Sequence, residues 1–179
     1  MRITTFNEPW PHGVVYNTYN LVKFEKARDE LSLLLTDLTL KRSYRKTPFT
    51  LLLTRTSFPF SYDLVEEFDL HDFFNKVKPN FNHRPFNRLK QSLLVAGACD
   101  YPHEIHYETE NKIFSFVTYI SPVSSTGTVL YDLNKNKVKE VQWKPNHSFF
   151  FCGQEGVTWH SFCAGYWPRI TLLRFLVTA

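Results

Sequence analysis

A chain of 179 residues can bury one substantial core, and no break in composition divides it, so a single domain over residues 1–179 is expected. Hydrophobic residues make up 43%, with 17 Phe and 9 Tyr, which excludes a disordered chain and leans toward strands. The formal charge of +4 is modest; basic residues gather at Lys41, Arg42, Arg45 and Lys46 and again at Arg84, Arg88 and Lys90. Without a recognition motif beside them, these read as solvated surface first and as a nucleic-acid patch second.

Residues 1–100 mix element types and read as a support region. After the turn signals Pro9, Pro11 and Gly13, Val14–Tyr16 reads as a short strand. Leu21–Leu38 carries apolar residues at helical spacing with Glu and Lys between them. Phe49–Thr54 is an apolar, β-rich run. Tyr62–Val77 reads as one helix with acids near its start, and Arg84–Leu94 as another, shorter one.

From Pro102 onward β-rich runs follow one another: Ile113–Ile120, Thr128–Tyr131, Val138–Trp143, Ser148–Cys152, Thr158–Phe162 and Arg169–Thr178. Turn chemistry at Ser121-Pro122, Asn134–Asn136, Pro145-Asn146, Gly153 and Gly165 separates them. Six strands at this spacing argue for a sandwich or barrel over parallel βαβ units. No charged start with an apolar run occurs at Met1–Trp10, and no apolar stretch reaches membrane length, so a soluble, cytoplasmic protein is expected. Cys99, Cys152 and Cys163 form no CxxC and leave one unpaired in any scheme, which suits a reducing compartment and small buried hydrophobes.

The chemistry concentrates in His106-Tyr107-Glu108, just ahead of a strand. Residues i and i+2 of an extended segment project to one side, so His106 and Glu108 can reach one ion together. His160 is the natural third ligand from a distant strand. Two His and one carboxylate on one face of an octahedral ion leave three positions open, the facial triad of non-haem iron(II) oxygenases. Taken singly, a strand His is more often a hydrogen-bonded core or surface residue. Nine residues on, Arg169 and Thr171 share a side of the last strand, and a guanidinium fork with a hydroxyl can hold a carboxylate. Taken singly, Arg169 would pair with a structural acid.

In order, His106-x-Glu108, Lys112, Phe116-Val117-Thr118-Tyr119-Ile120-Ser121-Pro122, Gly127-Thr128, Trp143-Lys144-Pro145, Phe149-Phe150-Phe151, His160 and Arg169-Ile170-Thr171 resemble the 2-oxoglutarate and iron(II)-dependent oxygenase superfamily, its prolyl-hydroxylase-like branch most of all. The likeness runs from about Tyr101 to Val177; earlier, only Pro11–Val15 and the helix after it are similar to that branch. It implies a mainly β fold with N-terminal helices whose catalytic core is a double-stranded β-helix, a jelly roll or cupin-like barrel. It implies Fe(II), 2-oxoglutarate as cosubstrate and O2, with His106, Glu108 and His160 as metal ligands and Arg169 and Thr171 on the cosubstrate. Tyr119 matches a family tyrosine that helps bind the cosubstrate carboxylate, beside its equal reading as a core aromatic. The implied activity is hydroxylation of a peptide side chain such as proline, or of a small metabolite, with release of succinate and CO2; a nucleic acid is the lesser substrate. The family's usual carboxylate is Asp, and Glu108 is one methylene longer.

Two rivals stand beside this reading: a jelly-roll binding module with a vestigial metal site, and a cupin-type metalloenzyme that does not use 2-oxoglutarate. The latter expects HxH with a spaced Glu, which His103 and His106 do not supply. His103 reads as lining the substrate pocket, and His12, His71, His83 and His147 as surface or capping residues.

Overall fold

The computed structural model describes residues 1–40, 49–96, 103–163 and 168–178. The basic group at Lys41–Lys46 and Cys99 lie outside them. Ten strands and three helices are described: β1 (Arg2–Phe6), β2 (His12–Tyr16), α1 (Leu21–Leu40), β3 (Phe49–Leu52), α2 (Pro59–Glu66), α3 (Leu70–Val77), β4 (Arg88–Ala96), β5 (Lys112–Ser121), β6 (Thr128–Tyr131), β7 (Lys137–Val141), β8 (Ser148–Cys152), β9 (His160–Phe162) and β10 (Arg169–Val177). Every strand pairing among the described residues is antiparallel. Seven strands form one sheet in the order β1-β2-β8-β5-β10-β4-β3, and three form a second, β7-β6-β9.

The larger sheet is covered on both faces, which is why its inner strands read as near-continuous apolar runs. On β10, Ile170, Leu172 and Leu176 turn to the helices, while Arg169, Thr171, Leu173 and Phe175 turn to a cavity on the other side. Helix α1 contributes Phe24, Ala27 and Leu31, and α2 contributes Leu64 and Val65, against Leu93, Val95, Ile120 and Leu172. Helix α3 seats Phe73 and Phe74 on Phe114, Phe116 and Phe150 in edge-on ring contacts. Gly13 of β2 leaves room for the Phe150 ring, which would lie 2.1 Å from a Cβ there. Between the two sheets Trp10, Tyr119, Leu130, Val141, Trp143, Phe149 and Phe151 form a third cluster.

Three expectations need correction, and one strand gives no signal in the sequence. Arg84–Leu94 is no helix: Arg88–Ala96 is β4, paired along its whole length with β10, because the ladder with β10 outweighs local propensity. Tyr62–Val77 is two helices, since Asp69 caps α3 by accepting from the N–H groups of His71 and Asp72 at 2.9 and 3.0 Å. The strand β1, whose side chains are mostly exposed, carries too little apolar alternation to be seen in sequence. His12 and His147 are buried, His12 completely, because the aromatic rings of Phe6, Trp10 and Phe149 close over it. Among the described residues no helix is long and apolar enough to cross a membrane.

Candidate functional site

His106 and His160 meet through the backbone. Each donates its N–H to the other's carbonyl, at 3.0 and 2.8 Å, in an antiparallel bridge that carries the segment before β5 onto β9. Their rings lie 4.4 Å apart. His106 Nδ1 is 2.9 Å from the Glu104 carbonyl oxygen, and His160 Nδ1 is 2.9 Å from that of Thr158. A carbonyl only accepts, so Nδ1 is the donor in both rings. Burial, only partly offset by the Glu108 carboxylate, pushes His160 down to about 4 and keeps it neutral.

Glu108, its side chain 9% exposed, lies beside them. Lys112 Nζ donates to Oε2 at 2.6 Å, and Ser115 Oγ donates to Oε1 at 3.3 Å. Burial pushes the carboxyl up, but the positive charge of His160, when protonated, and of Lys112 outweighs it and holds the group below the usual carboxylate range. Gly153 makes the approach possible: a Cβ there would lie 2.7 Å from the Lys112 carbonyl oxygen and 3.3 Å from Glu108 Cβ. His160 Nε2 and Glu108 Oε1 are 3.9 Å apart. Two ligand atoms about 2.1 Å from a metal and at a right angle sit roughly 3 Å apart, so the pair is wider than a bound ion would set it. Among the described residues no group of three or more His, Cys, Asp or Glu is gathered closely enough to hold an ion as it stands. The donor set itself, two imidazole nitrogens and a buried carboxylate, suits a non-haem iron.

Arg169 and Thr171 enter from β10. Arg169 is 2% exposed; its Nη1 donates to the Thr126 carbonyl at 3.0 Å, and its guanidinium lies 4.4 Å from the Phe162 ring centre and 4.7 Å from that of Trp143. Thr171 Oγ1 is buried with no hydrogen-bond partner among the described residues. Such a group costs stability unless a ligand meets it. Tyr119 sits in the wall behind: its ring stacks on Trp143, centres 4.6 Å apart, and its hydroxyl is 2.9 Å from Thr128 Oγ1.

One cavity of about 210 Å³ joins the two groups, lined at one end by His106, Glu108 and His160 and at the other by Arg169, Thr171 and Thr128. His103 lines it too, with its ring stacked on Phe162. Lys112 was not singled out as a partner for Glu108, although opposite charges four residues apart were a signal. The ring clamp of Trp143 and Phe162 had none, because its members come from separate parts of the chain. Cys152 faces the helices, where burial pushes its thiol up to about 12.

No protein-family model and no curated protein sequence matches the chain. Solved structures do. A viral collagen prolyl hydroxylase from Paramecium bursaria Chlorella virus-1, in complex with 2OG, is 11% identical with a TM-score of 0.61, over 94% of this chain and 96% of that one. A Trichoplax adhaerens prolyl hydroxylase, bound to a hypoxia inducible factor peptide, is 9% identical with a TM-score of 0.65, over 93% and 83%. A Pseudomonas putida prolyl-4-hydroxylase is 8% identical with a TM-score of 0.63, over 94% and 92%. What the chain shares with these prolyl hydroxylases is their fold, over nearly its whole length.

Proposed function

We propose that the chain is a single-domain, 2-oxoglutarate-dependent iron(II) dioxygenase built on a double-stranded β-helix, which hydroxylates a substrate with release of succinate and CO2. The observation that carries this reading is the one cavity that joins a His-His-carboxylate end to a buried guanidinium and an unsatisfied hydroxyl. The two antiparallel sheets facing each other across it, and the shared fold of the prolyl hydroxylases, support the same reading.

In this reading His106 and His160 hold iron through Nε2 and Glu108 holds it through its carboxylate. When bound, iron and 2-oxoglutarate together supply the oxidising power that turns O2 on an unactivated C–H bond. Arg169 and Thr171 hold the far carboxylate of the cosubstrate in charge-assisted hydrogen bonds, which sets its reach toward the metal end. Trp143 and Phe162 keep the guanidinium planar to its ligand and shielded from water, and Tyr119 positions Thr128 in the wall. Phe149, Phe151, Val117 and Leu173 line the space between with apolar surface that excludes water. A peptide side chain such as proline is the favoured substrate, by kinship of fold with proteins that bind such peptides; a small metabolite is the alternative. A cytoplasmic setting goes with this reading.

One observation favours a second reading. Glu108 is already paired with Lys112, so the chain would also stand as a binding module whose metal site is vestigial. Anaerobic thermal unfolding with Mn(II), with and without 2-oxoglutarate, separates the readings, since a ligand that binds only the folded state raises its stability. Stabilisation by 2-oxoglutarate that needs the metal is the expected result. Metal binding without a response to 2-oxoglutarate would point to a cupin-type enzyme, and no metal response to the binding module.

A further inference from the structure

The two oxygens of Glu108 have different neighbours. Oε1 faces His160 Nε2 at 3.9 Å, while Oε2 is taken by Lys112 Nζ at 2.6 Å. Lys112 is itself held on its other sides. Its ammonium lies 4.3 Å from the centre of the Phe175 ring, the backbone N–H of Lys112 donates to the Thr109 carbonyl at 2.9 Å, and its Cα is in register with Val177 of β10. The contact from Ser115 to Oε1, at 3.3 Å, is the weaker of the two hydrogen bonds on the carboxylate. A glutamate has one more rotatable bond than an aspartate and can turn both oxygens onto an ion. Both oxygens on the metal would fill four of six octahedral positions and leave two, one fewer than a chelating 2-oxo acid and O2 need together.

Resting on the reading of the site above, we propose that Lys112 is a positioning residue that reserves Oε2 of Glu108, so that the carboxylate ligates through Oε1 alone. In the metal-free chain the same ammonium compensates a buried carboxylate that would otherwise stand uncompensated. The longer acid is thereby given the single-oxygen ligation that a shorter one would have by reach alone.

The test uses the full chain loaded with Mn(II), with water-proton relaxation counting the exchangeable waters on the ion and a titration giving 2-oxoglutarate affinity. Lys112→Met is expected to carry one metal-bound water fewer than the unsubstituted chain and to bind 2-oxoglutarate on the order of tenfold more weakly. Lys112→Arg, which keeps a cation on Oε2, is expected to restore both. Lys112→Gln, neutral but still able to donate, shifts both in the same direction by less, and serves should Lys112→Met not fold. Unchanged waters and affinity in the neutral variants would overturn the proposal while leaving the oxygenase reading intact. An unsubstituted chain that does not bind Mn(II) would overturn both.

Discussion

The two ends of the cavity are organised by different means. At the metal end each histidine is oriented by its own neighbourhood, with Nδ1 tied to the carbonyl two residues earlier, Glu104 for His106 and Thr158 for His160. At the other end Arg169 is oriented by residues from three separate segments, between the rings of Trp143 and Phe162 and against the Thr126 carbonyl. The first device makes Nδ1 the hydrogen-bonded nitrogen of each ring and leaves Nε2 outside that bond. The second holds a guanidinium between two aromatic faces, and its planar fork matches the shape of a carboxylate. In the proposed reading one end takes a metal and the other a carboxylate, and substitutions should separate them.

The largest effect is expected at the metal end. At a metal concentration a hundred times Kd the unsubstituted chain gains about 2.7 kcal/mol of stability, and His160→Ala should gain none. Thermal unfolding with and without Mn(II) reads this directly, and an undiminished shift in His160→Ala would remove His160 from the ligand set. Next comes the guanidinium. Arg169→Ala should keep the whole Mn(II) response yet weaken 2-oxoglutarate binding about a hundredfold, roughly 2.7 kcal/mol for two lost charge-assisted bonds. Arg169→Lys should not rescue it, because an ammonium lacks the planar fork. Cosubstrate affinity that survives in Arg169→Ala would break the division of labour between the ends.

Thr171→Val sharpens the same comparison, since its two readouts should not fall together. Without ligand, removing a buried hydroxyl that has no partner should leave stability unchanged or raise it by about 1 kcal/mol. With ligand, one hydrogen bond to a charged group is lost, and 2-oxoglutarate affinity should fall about tenfold. Denaturant unfolding and a binding titration on one preparation suffice. A purely structural hydroxyl would lower stability and leave the affinity alone.

The contrast between the ends also explains what the sequence disclosed. His106 and Glu108 are two residues apart on an extended segment, and Arg169 and Thr171 on a strand, so period-two reasoning groups each pair correctly without knowledge of the fold. The strands β6 and β8 were legible to the residue because turns bound them on both sides. The clamp of Trp143 and Phe162, and the closure of Lys112 on Glu108, depend on how loops and strands meet in space. β4 was hidden because its pattern, Arg88-Leu89-Lys90-Gln91-Ser92-Leu93-Leu94, satisfies helical spacing as well as strand spacing, and only β10 beside it decides. His12 misled for a related reason: the rings that bury it come from β1, β8 and the turn before β2.

His12 gives the smallest effect and the control for the metal end. Its Nδ1 is 2.8 Å from the Trp10 carbonyl, also two residues earlier, so it shares the local device of His106 and His160. Its Nε2, however, is buried with no partner among the described residues. Burial, against the opposing pull of the Trp10 carbonyl and with Lys139 adding to it, pushes the imidazole down to about 4 from 6.5. The folded chain therefore keeps His12 neutral where the unfolded chain has begun to take up a proton. Its contribution to stability is whole above about 6.5 and drains away as the pH falls toward about 4, because the unfolded state binds more protons across that window. His160, lowered to about 4 as well, adds a slope of the same sign in metal-free protein, but that slope is common to a chain and its His12→Phe variant. The difference between their urea unfolding free energies, measured at steps from about pH 7 to about pH 4.5, isolates His12. His12→Phe should show the shallower loss and an unaltered Mn(II) response; equal slopes would mean that His12 titrates alike in both states, and a lost metal response would make it more than a wall residue.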